Sequence, residues 1–202
     1  MVLDHTNDLN AALAYAHEAL GVAVADRESC SRLVTFATVG LDMAPRARTV
    51  VLRSFSSEIY EATFYTDVRT LKVGELRRIP KAECVFWDAT RELQLRLSGT
   101  VSVHNEDEVA QLAWRKVDIA SRFNYLTDAP PGSKAGRETS GREAVDGRLA
   151  TQEEGAAGWQ NFGVLVMTIK NIDLVLLDNA GHRRARFEFG ERGLTVSDWV
   201  VP

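Results

Sequence analysis

Two short runs gather most of the residues in this chain that can do chemistry. Arg48-Thr49-Val50-Val51-Leu52-Arg53 places a guanidinium at each end of an apolar, β-type run. Phe64-Tyr65-Thr66-Asp67 follows, and then Arg69, Thr70 and Lys72. A phosphate monoester carries about two negative charges, and its natural donors are Arg and Lys side chains, a hydroxyl and the N–H groups of a helix N-terminus. Arg48, Arg69, Thr70 and Lys72 can supply that set. Each residue taken singly has a plainer reading. Strand arginines such as Arg48 and Arg53 commonly line a solvated edge, Tyr65 suits a core or rim, and Gln94 suits the wet face of a strand. Their joint order and spacing is what points to a site.

The bulk composition narrows the classes of function. The formal charge of −4 argues against a general polyanion binder, because nonspecific nucleic-acid affinity rests on many neutralised phosphates. The arginines must therefore act locally. His5, His17, His104 and His182 have no spacing that gathers ligands on one turn or strand, so no metal is expected. Cys30 and Cys84 form neither a CxxC pair nor a disulfide framework and are expected as free thiols in or near the core. The start, Met1 to Asn10, lacks the grammar of a secretory signal, and no stretch is apolar enough to span a membrane. A cytoplasmic location is expected.

The elements that must position these residues read mainly as strands. Leu9 to Leu33 carries Leu9, Leu13, Ala16 and Leu20 at helical spacing and predicts a helix, or two. Leu33 to Val39, Arg46 to Phe55 and Ile59 to Tyr65 predict a three-stranded meander. Thr70 to Ile79 predicts a short helix capped by Thr70 and stopped by Pro80. Strands follow over Glu83 to Asp88 and Glu92 to His104. In the latter, Leu93, Leu95, Leu97, Val101 and Val103 alternate with polar residues, and a bend is expected at Ser98-Gly99. A helix around Glu106 to Val117 precedes Ala129 to Gly158, a stretch poor in large apolar residues that is expected as an exposed loop or insertion. Phe162 to Leu177, Arg183 to Phe189 and Leu194 to Val201 predict the last strands, with Asp178-Asn179-Ala180-Gly181 as a hairpin turn. The expectation is one domain over 1–202, mainly β (α+β): an antiparallel barrel with peripheral helices. Without repeated βαβ units or a GxGxxG turn, a Rossmann site is not expected.

The ordered runs resemble the pyridoxamine 5′-phosphate oxidase family of FMN-binding split barrels. The family strand Arg-x-Val-x-Leu-Lys/Arg is matched at Arg48 to Arg53, its Phe-Tyr-Thr-Asn at Phe64 to Asp67, and its Ser-x-Lys helix start at Thr70 to Lys72. Glu92-x-Gln94 and Asn161-Phe162-Gly163 continue the match in order, and Gly181 to Pro202 follows more loosely. The resemblance implies a split antiparallel β-barrel, FMN as cofactor and oxidoreductase chemistry. It implies a homodimer with the flavin at the subunit interface. It also implies Arg48, Thr70 and Lys72 at the phosphate, Val50, Val51, Tyr65 and Thr66 along the flavin chain and ring, and Arg53 near the reactive nitrogen. Gln94, Phe162 and Arg186 match positions supplied by the partner subunit, with Phe162 as an apolar wall.

The match departs where the family holds its own substrate. The family's Arg-Pro-Arg-x-Ser segment is absent, the corresponding loop reading Pro130-Pro131-Gly132-Ser133-Lys134. The late Arg-x-His pair is replaced by His182-Arg183-Arg184-Ala185-Arg186, in reversed order. Each lost arginine removes a charged contact worth roughly 1.5 to 3 kcal/mol. A different small substrate, met by Arg53, His182 and Arg184, is therefore expected in place of the B6 phosphate. A solvated basic strand is the equal alternative for the His182–Arg186 cluster. Two further readings stand beside the enzyme: a non-catalytic flavin or haem module, with His104 or His182 as axial ligand, and a cofactor-free barrel.

Overall fold

A computed structural model describes residues 8–140 and 156–202. Helix α1 (Leu9–Ala25) opens on Asp8, whose carboxylate accepts from the Asn10 and Ala11 amides. It buries Ala12, Ala16, Ala19 and Ala23 with Leu13 and Leu20, and the small residues let the helix lie close to the barrel. The expected continuation to Leu33 does not form. Asp26 accepts from the Glu28 amide, and a 3₁₀ turn at Cys30–Arg32 leads straight into the first strand.

Strands β1 (Leu33–Val39), β2 (Pro45–Ser56) and β3 (Glu61–Asp67) form the meander. Helix α2 (Leu71–Arg78) follows, then β4 (Lys81–Asp88) and β5 (Leu93–His104). Helices α3 (Glu108–Trp114) and α4 (Ile119–Arg122) replace the longer helix expected over 106–117, because Asp107 and Asp118 each capture an amide three residues on and start a separate turn. Strands β6 (Phe162–Leu176), β7 (Arg183–Gly190) and β8 (Gly193–Val200) complete the chain. Of the expected loop over 129–158, residues 141–155 lie outside the described residues.

All eight strands join one antiparallel sheet in the order β3-β2-β1-β4-β5-β6-β7-β8, and pairing of β3 with β6 closes the first six into a barrel. The chain is thus mainly β with a closed barrel and peripheral helices, as the sequence predicts. The long strand β6 takes two partners along one edge: its first half pairs with β3 and its second half with β7, while β5 runs along both. The change of partner coincides with a register shift at Ser98/Gly99. A Cβ on Gly99 would lie 2.0 Å from the Thr168 carbonyl oxygen, so the expected bend is a place where two backbones touch.

The barrel is filled by Phe36, Phe64, Phe86, Leu52, Leu95, Leu97 and Leu165, all essentially inaccessible, each contributing on the order of 1.5–3 kcal/mol of apolar burial. A second apolar cluster lies outside it, where Phe162 and Val164 of β6 meet Ala110, Val117 and Tyr125. Cys84 is buried, its thiol pushed up to about 12 by burial, whereas Cys30 is exposed and does not pack as expected. Among the described residues no helix is long and apolar enough to cross a membrane, and no group of His, Cys, Asp or Glu is placed to hold a metal.

Candidate functional site

At one end of the barrel β1, β2, β3 and the start of α2 converge. Arg48 on β2 lies opposite Phe36 of β1, and its guanidinium reaches Thr38 on β1 and Glu75 on α2. Glu75 is 4% exposed, and its Oε2 accepts from Arg48 Nη2 at 3.0 Å and Thr38 Oγ1 at 2.6 Å. Beside them, Lys72 Nζ donates to Thr66 Oγ1 at 3.0 Å and Thr70 Oγ1 at 3.1 Å. No carboxylate pairs with Lys72 among the described residues. Burial, then the Arg48 guanidinium, pushes its ammonium below the usual lysine range.

Thr70 occupies the N-cap position of α2 but does not cap it. Its hydroxyl donates to the Asp67 carbonyl, which leaves the first-turn amides without a side-chain partner. Two cations, two hydroxyls and an uncapped helix start therefore face one place. Arg69, expected in this set, is instead spent on structure. Its guanidinium is held by the Asp67 carboxylate at 2.7 Å and by the hydroxyl and carbonyl of Thr127, and the Asp67 hydrogen bond raises its pKa.

Val50 and Val51 follow Arg48 along β2, both half-buried, and lead to Arg53. The Arg53 guanidinium lies over the Tyr65 ring, 5.2 Å from its centroid. Its Nε is buried without a hydrogen-bond partner, a donor held ready beside an aromatic face.

The remaining expected residues lie on the β5-β6-β7 sheet. Cross-strand neighbours point to the same side, and the register sets Gln94, Val175 and Arg184 in one row and Arg96, Asp173 and Arg186 in the next. Asp173 accepts from Arg96 at 2.6 Å, Arg184 at 2.8 Å and Arg186 at 3.2 Å. Burial would raise this carboxyl, but hydrogen bonds from Arg184 and Arg96 outweigh it and hold it well below the usual carboxylate range. No hydrogen bond or ion pair among the described residues links this group to the Arg48–Lys72 group.

Phe162 is not on that face. It is fully buried among Tyr65, Trp114, Tyr125 and Trp159, so it cannot offer the apolar wall expected of it. The residue beside Gln94 is Val175. His104 has both ring nitrogens engaged, by Ser102 and Asp107, each at 2.8 Å, and His182 accepts from the Asp178 amide. A cavity of about 500 Å³ lies elsewhere, lined by Tyr15, Glu18, Arg91, Leu176, Asp178 and Arg183. None of Arg48, Arg69, Thr70 and Lys72 borders it.

Thr38, Glu75 and Asp173 were not anticipated. Thr38 and Asp173 carried a faint signal: a polar residue continuing the buried alternation Val34, Phe36, and the sole acid of a 15-residue strand. Glu75 carried none, since only the packing of α2 on β1 and β2 gives it a role.

The fold is a split barrel, and one end of it carries phosphate-type donors. Residues 14–105 match the family model described as pyridoxamine 5′-phosphate oxidase, FMN-binding domain. The chain is 34% identical over 112 residues to the pyridoxine/pyridoxamine 5′-phosphate oxidase of Thermosynechococcus vestitus, covering 55% of this chain and 46% of that protein. It is 33% identical over 123 residues to pyridoxine/pyridoxamine 5′-phosphate oxidase 2 of Arabidopsis thaliana, covering 57% and 61%. The chain thus spans about half the length of the curated relatives it matches. In structure it resembles a pyridoxamine 5′-phosphate oxidase-related, FMN-binding protein from Nostoc punctiforme, with TM-score 0.73, 20% identity and coverage of 98% and 100%. It also resembles PhzG from Burkholderia lata, with TM-score 0.70, 16% identity and coverage of 100% and 99%. Over residues 14–105 the chain is thus similar to the FMN-binding domain of the pyridoxamine 5′-phosphate oxidases, and this similarity supports FMN as its cofactor. The residues present fit that group, since Arg48, Lys72 and the bare start of α2 offer what a phosphate needs.

Proposed function

We propose that the protein is an FMN-dependent oxidoreductase acting on a small substrate as a homodimer. The observation that carries this reading is Lys72: a half-buried ammonium held by two hydroxyls, with no carboxylate paired to it among the described residues, beside a second cation. Such a group awaits an anion. In this reading Arg48, Thr70 and Lys72 take the phosphate, and Thr66 orients Lys72. Backbone groups of Val50 and Val51 meet the flavin edge, Tyr65 lies along it, and the free Nε of Arg53 faces the reacting region. FMN, when bound, supplies the two-electron chemistry, and the protein supplies placement and charge.

The site is completed by a second copy. Gln94 and Arg186 are matched to positions that act across the interface, and they lie on a sheet face with exposed Trp87. In this reading, Gln94 of the partner subunit hydrogen-bonds the flavin edge while Arg186 of the partner subunit offers charge, steadied by Asp173. Val175, beside Gln94, takes the wall position expected of Phe162. Arg184 is tied to Asp173 and Arg69 to Asp67, so neither is free to clamp a second phosphate. The segment Pro130 to Lys134 likewise offers no arginine, and a substrate other than pyridoxamine 5′-phosphate follows. The test is gel filtration of purified protein with absorbance detection, then reduction assays over a substrate panel. Flavin absorbance co-eluting with a dimer, and turnover of a compound other than pyridoxamine 5′-phosphate, would support the reading. Flavin on a monomer would remove the shared site.

A further inference from the structure

We propose that Glu75 is a positioning residue that aims Arg48 at the cofactor phosphate and so sets the preference for FMN over riboflavin; this rests on the assignment of Arg48 to that phosphate.

Helix α2 turns one side toward the barrel, where Val73 and Leu76 are buried as expected of an amphipathic helix. Glu75 is buried with them, at 4% exposure, in a place where a leucine would add stability and a carboxylate has to be desolvated. Its geometry is specific. One oxygen, Oε2, accepts from both Arg48 Nη2 and Thr38 Oγ1, while Thr38 Oγ1 also accepts from Arg48 Nη1. Carboxylate, hydroxyl and guanidinium thus close a three-membered ring of contacts. Nη1 faces the Phe36 and Arg46 carbonyls as well, at 3.4 Å each. Both terminal nitrogens are held from the protein side, and the Arg48 Nε has no partner among the described residues. The guanidinium is fixed with one edge left open.

The ring also sorts the charges. Arg69 is neutralised by Asp67, and Arg48 is partly neutralised by Glu75, so of these three cations Lys72 is left without a carboxylate partner among the described residues. Arg48 then contributes direction more than bare charge, because a guanidinium gains most when its N–H groups are aligned with phosphate oxygens. Removing Glu75 would increase the local positive charge but release the side chain that has to be aligned. A long, freely rotating arginine loses most of that geometric gain on binding. The loss falls only on ligands that carry a phosphate.

The experiment measures FMN and riboflavin affinities for the whole protein in five forms: unchanged, Glu75→Ala, Glu75→Gln, Arg48→Ala and the Arg48→Ala, Glu75→Ala double variant. Glu75→Ala should weaken FMN roughly tenfold, the scale of one charged hydrogen bond, and leave riboflavin unchanged. Glu75→Gln, which keeps an acceptor oxygen and the volume, should recover part of the loss. Adding Glu75→Ala to Arg48→Ala should cost nothing further. Equal weakening of FMN and riboflavin would make Glu75 a purely structural residue and overturn the proposal, as would unchanged FMN affinity in both Glu75 variants. If Arg48→Ala alone leaves FMN affinity unchanged, the phosphate assignment fails, and that outcome is separate from a failure of Glu75.

Discussion

The Lys72 ammonium lies 3.0 Å from the Thr66 hydroxyl, so a residue at the start of a helix is tied to the end of the strand before it. Thr66 is the penultimate residue of β3, and Lys72 is in the first turn of α2. The bond brings the two motif runs together at one point, with the lysine charge beside Thr70 and Arg48.

That setting gives FMN binding a pH dependence. Burial and Arg48 lower the Lys72 pKa, so its charge is lost at a lower pH than that of an ordinary lysine, about 10.4. Phosphate binding needs the charged form. FMN affinity should therefore fall as pH rises through the depressed pKa. In the flavin-free protein the sign is opposite. The unfolded chain holds the proton over that interval while the folded one has released it, so stability rises with pH there. Titrating FMN at a series of alkaline pH values checks this, and Lys72→Arg, which stays charged, should flatten the fall. A profile unchanged by Lys72→Arg would assign the titration elsewhere.

Gly99 marks the point where β6 exchanges β3 for β7. A methyl group there would press on the Thr168 carbonyl at 2.0 Å, and its nearest neighbours are all β6 backbone, with no flexible side chain to give way. Gly99→Ala should destabilise the fold by about 3 kcal/mol, in the upper range for overpacking. Urea unfolding followed by tryptophan fluorescence would measure it, and a change below about 0.5 kcal/mol would mean that the two strands can separate locally.

Phe162 should behave as a core residue and not as a cofactor contact. It is fully buried under Trp114, Tyr125 and Trp159. Phe162→Ala should cost about 3–5 kcal/mol of stability. In the fraction that stays folded, FMN affinity should change much less than in an Arg48 variant. Equilibrium unfolding with a parallel flavin titration separates the two effects.

Asp173 holds three arginines, each from 2.6 to 3.2 Å away. Because its carboxyl is held well below the usual range, its contribution is complete above the unfolded-state value of about 3.9 and is lost only as pH falls through the lower folded value. Asp173→Asn should lower stability by about 2 kcal/mol at neutral pH, with the loss fading in strong acid. It should also weaken dimerisation if the face carrying Gln94 and Arg186 is the interface. Thermal melts at neutral and acid pH, with sedimentation at several concentrations, would show both.

The fold was largely legible because alternation is a local property. Leu93, Leu95 and Leu97 are buried and Gln94 and Arg96 are not, as their spacing requires. The helices were less legible, since Asp26, Asp107 and Asp118 start or stop turns through side-chain bonds that compete with helix continuation. The cation set around Arg48, Thr70 and Lys72 could be read as ordered motifs. Which cations remain free could not, because Arg69 is claimed by Thr127, 58 residues away, and Arg48 by Glu75, 27 residues away. Phe162 misled for a related reason: an aromatic after Asn161 looks like a wall until the helices that cover it are in place.

The most direct measurement of the central claim is FMN retention by the Arg48→Ala, Lys72→Ala double variant beside the unchanged protein, with circular dichroism on both. The spectrum of secondary structure should be unchanged and FMN affinity should fall by about a hundredfold or more, from the loss of two charged contacts. Full flavin occupancy in the double variant would contradict that claim and place the phosphate elsewhere on the barrel.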